Sequence, residues 1–309
     1  MTRYEPAIDL DAIEAIDVHV HIEVDGHGHA SLPPDLVEAA SKYFSADGPR
    51  PDLDSIATYY RERRMAAVVF TVDAETQLGH APVSSAEIAE GAARNNDVLI
   101  PFGSVDPNKA SAVDDARRLI EDHGVRGFKF HPTVQGFDPS DRAHEPLYAV
   151  LQDAGVVALF HTGQTGIGAG LPGGRGFLLG LSNPMLLDPV AAHFPELQII
   201  MAHPSVPWQD EALSVATHKH NTWIDLSGWS PKYFPEQLVR AANSYLKRRV
   251  LFGSDFPLLT PDRWMTDAAR STGSGTALFK PEVMPGILKD NAARLLGLAA
   301  STAHQGDTP

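Results

Sequence analysis

Cysteine is absent from all 309 residues. That excludes a disulfide framework, a thiol nucleophile and any cysteine-ligated zinc, so metal or acid–base chemistry has to come from histidine and carboxylates. Basic residues are also scarce: 25 Lys and Arg stand against 39 Asp and Glu, a net charge of -14. With no basic stripe to meet phosphates, nucleic acid is not an expected partner. No run approaches the ~20 apolar residues of a membrane span. The opening Met-Thr-Arg-Tyr-Glu-Pro has no apolar signal core. The expectation is a cytoplasmic protein acting on a small molecule, without membrane or nucleic acid, with homo-oligomerisation left open.

What is present is a steady alternation of apolar strands and helical segments. Strands are expected at 16–21, 66–72, 98–105, 125–131, 156–161, 197–203, 222–227 and 250–255. Helical patterning falls at 51–64, 85–95, 110–123, 145–154, 209–220 and 236–247, with one more helix ending near Phe194. Near-continuous apolar strands separated by helices predict a parallel sheet covered by helices, and eight such units favour a closed barrel. The predicted fold is α/β, a (β/α)8 TIM-type barrel in one domain over 1–300. It carries a long insertion after strand 1, rich in Gly and Pro with one helix near 35–43, and a C-terminal helix over 281–298. The tail 301–309 is expected to fray. No Gly-x-Gly-x-x-Gly follows the first strand, so a dinucleotide fold has no support.

The chemistry gathers at strand ends. In Ile16-Asp17-Val18-His19-Val20-His21 the apolar and polar residues alternate, which puts both imidazoles on one face of a strand, where they can chelate one divalent ion. His161, His203 and Asp255 each close a later strand, at the end where barrel enzymes build their active sites. Lys129 and His131, two apart on the fourth strand, face the interior if Phe128 and Phe130 face the helices.

This ordered set resembles the amidohydrolase superfamily, and within it the amidohydrolase-related metal-dependent hydrolases and decarboxylases (amidohydrolase family 2). The resemblance lies in Asp17-Val-His-Val-His21, Gly127-Phe-Lys-Phe-His-Pro132, Phe160-His-Thr-Gly163, Met201-Ala-His-Pro204 and Leu251-Phe-Gly-Ser-Asp-Phe-Pro257. Lys289-Asp-Asn-Ala-Ala-Arg-Leu-Leu-Gly297 matches the family's closing helix. The resemblance implies that His19, His21, His161 and Asp255 hold one divalent ion, zinc in first place, with manganese and iron also compatible with these ligands. Asp255 would move the proton of an activated water, and His203 would meet the substrate oxygen or that water. In binuclear relatives a lysine at this strand is carboxylated and bridges two metals. One metal with Lys129 as an uncarboxylated cation near the substrate is the expectation here, the two-metal form being kept open.

Around this core, His131, Trp229, Tyr233, Lys232 and Arg175 are the expected substrate contacts, the last in the Gly-rich segment 162–180 that would form a lid or rim. His27 and His29 sit in the first insertion as weaker candidates. The expected activity is metal-dependent hydrolysis of an ester, lactone, amide or β-keto carbon–carbon or thioester bond in a small, aromatic or acyl organic acid. The alternative is non-oxidative decarboxylation of an aromatic or enoic acid, and an inactive metal-binding barrel comes last.

Overall fold

A computed structural model describes residues 2–44, 50–269 and 277–298. The expected fraying of 301–309 lies outside them. Eight strands appear in the predicted order: β1 Ala15–His21, β2 Met65–Phe70, β3 Leu99–Pro101, β4 Gly127–Phe130, β5 Val157–His161, β6 Ile199–Ala202, β7 Thr222–Asp225 and β8 Val250–Leu251. All pairings are parallel, β1-β2-β3 in one run and β4-β5-β6-β7-β8 in another. Two single bridges join the runs into a ring, Gly103 with Phe128 and Val20 with Phe256. Backbone bonds from Lys129 N to Gly103 O and from Asp255 N to His19 O, 2.8 and 3.0 Å, reinforce the seams. The fold is the expected (β/α)8 barrel.

The strand pattern holds a deviation that matters. Strict alternation in β1 predicts Ile16, Val18 and Val20 on one face. The pairing register with β2 shifts between Asp17 and Val20. Ile16 and Val18 therefore pack with the lumen residues Ala66, Val68, Ile100 and Leu159, whereas Val20 joins the cluster shared with the helix layer. An irregularity of this kind adds a residue to one strand and resets which side chains face inward. His19 and His21 still share a face. Asp17 falls out of their phase and accepts bonds from the backbone N–H groups of His19 and Ser254 and from the hydroxyls of Tyr60 and Ser254. It is a buried clamp between β1, the helix Leu53–Glu62 and the end of β8.

Phe128 and Phe130 pack outward among the helix-layer residues, as expected, leaving Lys129 on the other face of β4. Ile13, Ala292, Ala293 and Leu296 belong to the lumen cluster and stop the amino-terminal end of the barrel. Several strands are shorter than predicted, most clearly at 250–255, where only Val250–Leu251 is strand. Beyond them the chain reaches Asp255 at φ 77°, off the extended path. The closing helix starts late, as a turn at Gly286–Asp290 that continues into Asn291–Leu295. A helix over Pro261–Ala269 was not anticipated.

Candidate active site

Three donor atoms from β1 and the β8 end converge. His19 Nε2 lies 3.2 Å from His21 Nε2 and 3.3 Å from Asp255 Oδ1, and His21 Nε2 lies 3.1 Å from the same oxygen. Ligands held tetrahedrally at zinc distances of 2.0–2.1 Å stand about 3.3 Å from one another. The spacing therefore fits one divalent ion, and two imidazoles with a carboxylate are suitable donors for it. A second possible grouping, His19, His203 and Asp225, shares His19. Its atoms already satisfy one another, directly or through the Ser227 hydroxyl, so it supports the first set and does not compete with it.

Asp255 and its neighbour His203 are placed by backbone that the chain maintains at some cost. His203 and Asp255 have φ of 70° and 77°, the left-handed region that non-glycine residues seldom occupy, and both turn inward from a strand end. Gly228 makes room for both: a Cβ there would sit 2.6 Å from His203 Nδ1 and 3.3 Å from Asp255 Oδ2. Asp225, which the sequence reading passed over, ends β7 and lies 2.9 Å from His19 Nδ1. It holds the far side of that ring, leaving Nε2 for the ion. The signal was available: Asp225 ends an apolar strand, as His161 ends β5.

His161 stands next to the three-donor cluster but outside it. Its Nδ1 is 3.0 Å from His203 Nε2, and its Nε2 is buried without a hydrogen-bond partner. Its ring stacks on that of His131 at 3.8 Å and 10°. His131 is fixed by the Val134 N–H, which its Nδ1 accepts at 3.4 Å, and by Thr165 Oγ1, 3.3 Å from its Nε2. Lys129 is fully buried, its Nζ 3.0 Å from His19 Nε2 and 4.9 Å over the Phe70 ring. Burial pushes its ammonium down to about 8 against the opposing pull of Asp225 and Asp255.

Burial also lowers His19 to about 3 and sets His131, His161 and His203 below their ordinary range. Burial works to raise Asp255 and Asp225. For Asp255 the hydrogen bond from His21 and the surrounding imidazoles outweigh it; for Asp225 the His19 imidazole and its hydrogen bond do. Both carboxylates are held well below the usual range. His19, His161 and His203 are thus held neutral and Asp225 and Asp255 ionised, the forms that metal ligands take.

Over this floor lies a cavity of ≈ 400 Å³. Lys129, His131, His161, His203 and Asp255 line it, as do Trp229 and Tyr233 from the loop after β7. Two expected substrate contacts do not reach it. The Arg175 Nε is 2.8 Å from Asp35 Oδ2, an ion pair between the Gly-rich segment and the first insertion. Lys232 has its Nζ 4.8 Å over the Tyr233 ring, away from the cavity. In both cases a neighbour on the rim takes the cation first. The cavity's second cation is Arg263, from the helix Pro261–Ala269. Glu23 also lines the wall, its carboxylate 2.7 Å from Arg50 Nε; neither was anticipated. His27 and His29 lie apart from the cavity lining, and His29 Nε2 donates to the Ala81 carbonyl at 2.8 Å.

The amidohydrolase family model matches residues 16–298. The chain belongs to the amidohydrolase family. No curated protein matches it in sequence. Among solved structures it is similar to an uncharacterized TIM-barrel protein from Bordetella bronchiseptica, at 24% identity and TM-score 0.71 over 92% of this chain and 98% of that one. It is also similar to a probable 2-pyrone-4,6-dicarboxylic acid hydrolase from Acinetobacter baumannii with citric acid bound, at 15% identity and TM-score 0.62 over 92% and 100%. A 2,6-dihydroxybenzoate decarboxylase from Rhizobium stands at 15% identity and TM-score 0.63 over 93% and 99%. At these identities the likenesses establish the fold. Among the described residues no helix is long and apolar enough to cross a membrane.

Proposed function

We propose that this amidohydrolase-family chain is a metal-dependent, non-oxidative decarboxylase of a small aromatic or enoic acid. The observation that carries this is the division of the cavity. Its histidines, Asp255 and Lys129 gather at the floor around the three donors, while Ile22, Phe44, Val72, Trp229 and Leu259 supply apolar wall, with Glu23 and Arg263 as further ionisable lining groups. A planar acid fits such a site, its body on the walls and its oxygens on the floor. This reverses the order expected from the sequence, in which hydrolysis came first. Decarboxylases such as the Rhizobium protein are well represented among the similar folds, which supports the reversal.

His19, His21 and Asp255 would hold the ion, with His161 as the fourth ligand through its unpartnered Nε2. Zinc comes first, with manganese and iron also suited to these donors. When bound, the ion supplies Lewis-acid stabilisation of substrate oxygens. Lys129 adds a buried positive charge beside them. The bond between the ring or vinyl carbon and its carboxylate breaks, carbon dioxide leaves, and the electron pair takes up one proton. Asp255 and His203, both beside Gly228, are the groups positioned to carry that proton in. Trp229 and Tyr233 flank the substrate body and His131 its oxygen-bearing end.

Hydrolysis is the second reading, favoured by one feature. Ionised Asp255, hydrogen-bonded to His21, is equally suited to take a proton from water. The test is product analysis on a panel of hydroxybenzoates, enoic acids, lactones and esters, using zinc- and manganese-loaded protein. Carbon dioxide release with solvent deuterium on the product carbon is expected. Oxygen-18 from water in an acid product would overturn decarboxylation in favour of hydrolysis.

A further inference from the structure

We propose that Asp225, acting through Ser227, is a positioning residue that sets the tautomers of three imidazoles: His19 directly, and His203 and His161 in series. The inference rests on the metal-site reading above and is independent of which reaction the site performs.

Asp225 is fully buried, and every nitrogen within hydrogen-bond distance of its two oxygens is a backbone N–H or an imidazole, so it acts as an acceptor. Its Oδ1 takes the backbone N–H groups of Ser227 at 2.9 Å and His203 at 3.2 Å, and is in close contact with Ser227 Oγ. Two oxygens that close need a proton between them, and only the serine has one. Ser227 thus spends its single proton on Asp225 and offers lone pairs alone to its other neighbours. His203 Nδ1, 2.9 Å from Ser227 Oγ, must therefore be the donor. A neutral imidazole carries one N–H, so His203 Nε2 is bare. His161 Nδ1, 3.0 Å from that nitrogen, must in turn donate to it. His161 Nε2 is then bare as well, and it is a buried nitrogen whose lone pair has no hydrogen-bond donor. On the other oxygen, Asp225 Oδ2 receives His19 Nδ1–H at 2.9 Å, so His19 Nε2 carries no proton and accepts from Lys129 Nζ at 3.0 Å beside His21 and Asp255.

One carboxylate thereby prepares a lone pair on two rings, from β1 and β5, before any ion arrives. The next ring in the cavity shows that this pattern is not generic. His131 Nδ1 accepts from the Val134 N–H, so its proton is on Nε2, the opposite tautomer. Carboxylate partners that orient a ligand imidazole typically contribute 10–100-fold in metal affinity. Here the effect would reach His161 only through two intermediates.

The test uses the full chain without metal, labelled with nitrogen-15 in its histidines and assigned with single-histidine variants. Long-range proton–nitrogen correlation spectra at neutral pH report each tautomer. Wild type is expected to show Nδ1–H at His19, His161 and His203 and Nε2–H at His131. Ser227→Ala should move His203 and His161 out of the Nδ1–H pattern while His19 keeps it, and Asp225→Asn should displace all three. Zinc affinity, read by chelator competition, should fall about 10–100-fold in Asp225→Asn and less in Ser227→Ala. A Ser227→Ala spectrum with His203 and His161 unchanged overturns the relay, as does Nε2–H at His161 in wild type. The expected spectra with unaltered zinc affinity would uphold the relay and overturn the metal reading instead.

Discussion

A short side chain decides most where its chemistry has no substitute, and Asp255 is such a case. It supplies a donor oxygen 3.3 and 3.1 Å from the two histidine nitrogens and also lies at the cavity floor. Asp255→Asn keeps an oxygen for the ion but cannot take or give the carboxylate's proton. The expected outcome is retained metal and a rate about 10²–10⁴-fold lower, checked by measuring metal content and turnover in the same preparation. Full rescue by added zinc would move the proton-carrying role to His203. His19→Ala should lose metal and activity together, because the same ring is held by Asp225 on one side and faces both other donors on the other.

Elements matter where they bring a loop to the cavity mouth. The Gly-rich segment lies against the first insertion at Gly166, where a Cβ would sit 2.5 Å from Phe44 and 2.8 Å from Tyr43. Gly166→Ala should push the segment off that wall. Overpacking of this kind costs about 1–3 kcal/mol of stability, and a displaced wall that gives up about 1.4 kcal/mol of substrate contact raises KM roughly tenfold, with metal content unchanged. A KM equal to wild type would separate the segment from substrate binding. The helix Pro261–Ala269 makes the complementary case. Its Trp264 is fully buried and donates from Nε1 to the Leu226 carbonyl at 3.1 Å, two residues before Gly228. Trp264→Ala removes that packing and leaves a buried carbonyl short of a donor, for an expected loss of about 3–5 kcal/mol in denaturant unfolding. The helix was legible in principle: Pro261 stands at its first turn, and Thr260 Oγ1 accepts from the Arg263 N–H at 3.2 Å.

For the molecule as a whole, the ion should behave as a structural staple as well as a reactant-binding group. The donors come from opposite ends of the chain, residues 19 and 21 and residue 255, and the β8–β1 seam between them is a single bridge supported by a few backbone bonds. Chelation is therefore expected to lower the thermal midpoint. Zinc at a hundredfold excess over its Kd should restore about 2.7 kcal/mol, with one equivalent bound. Two equivalents would revive the carboxylated Lys129 form. Sequence alone determined the number and order of strands, because apolar strands alternating with helices carry their own period. It also determined which residue types stand at or just past the ends of β1, β5, β6 and β8, and hence the candidate donors His19, His21, His161, His203 and Asp255. It could not supply the register shift in β1, which depends on pairing with β2, nor the withdrawal of Arg175 and Lys232 to rim partners distant or adjacent in the chain. The role of Asp225 came only with the tertiary structure, since a carboxylate 206 residues from His19 acquires its meaning when barrel closure sets it 2.9 Å from that ring.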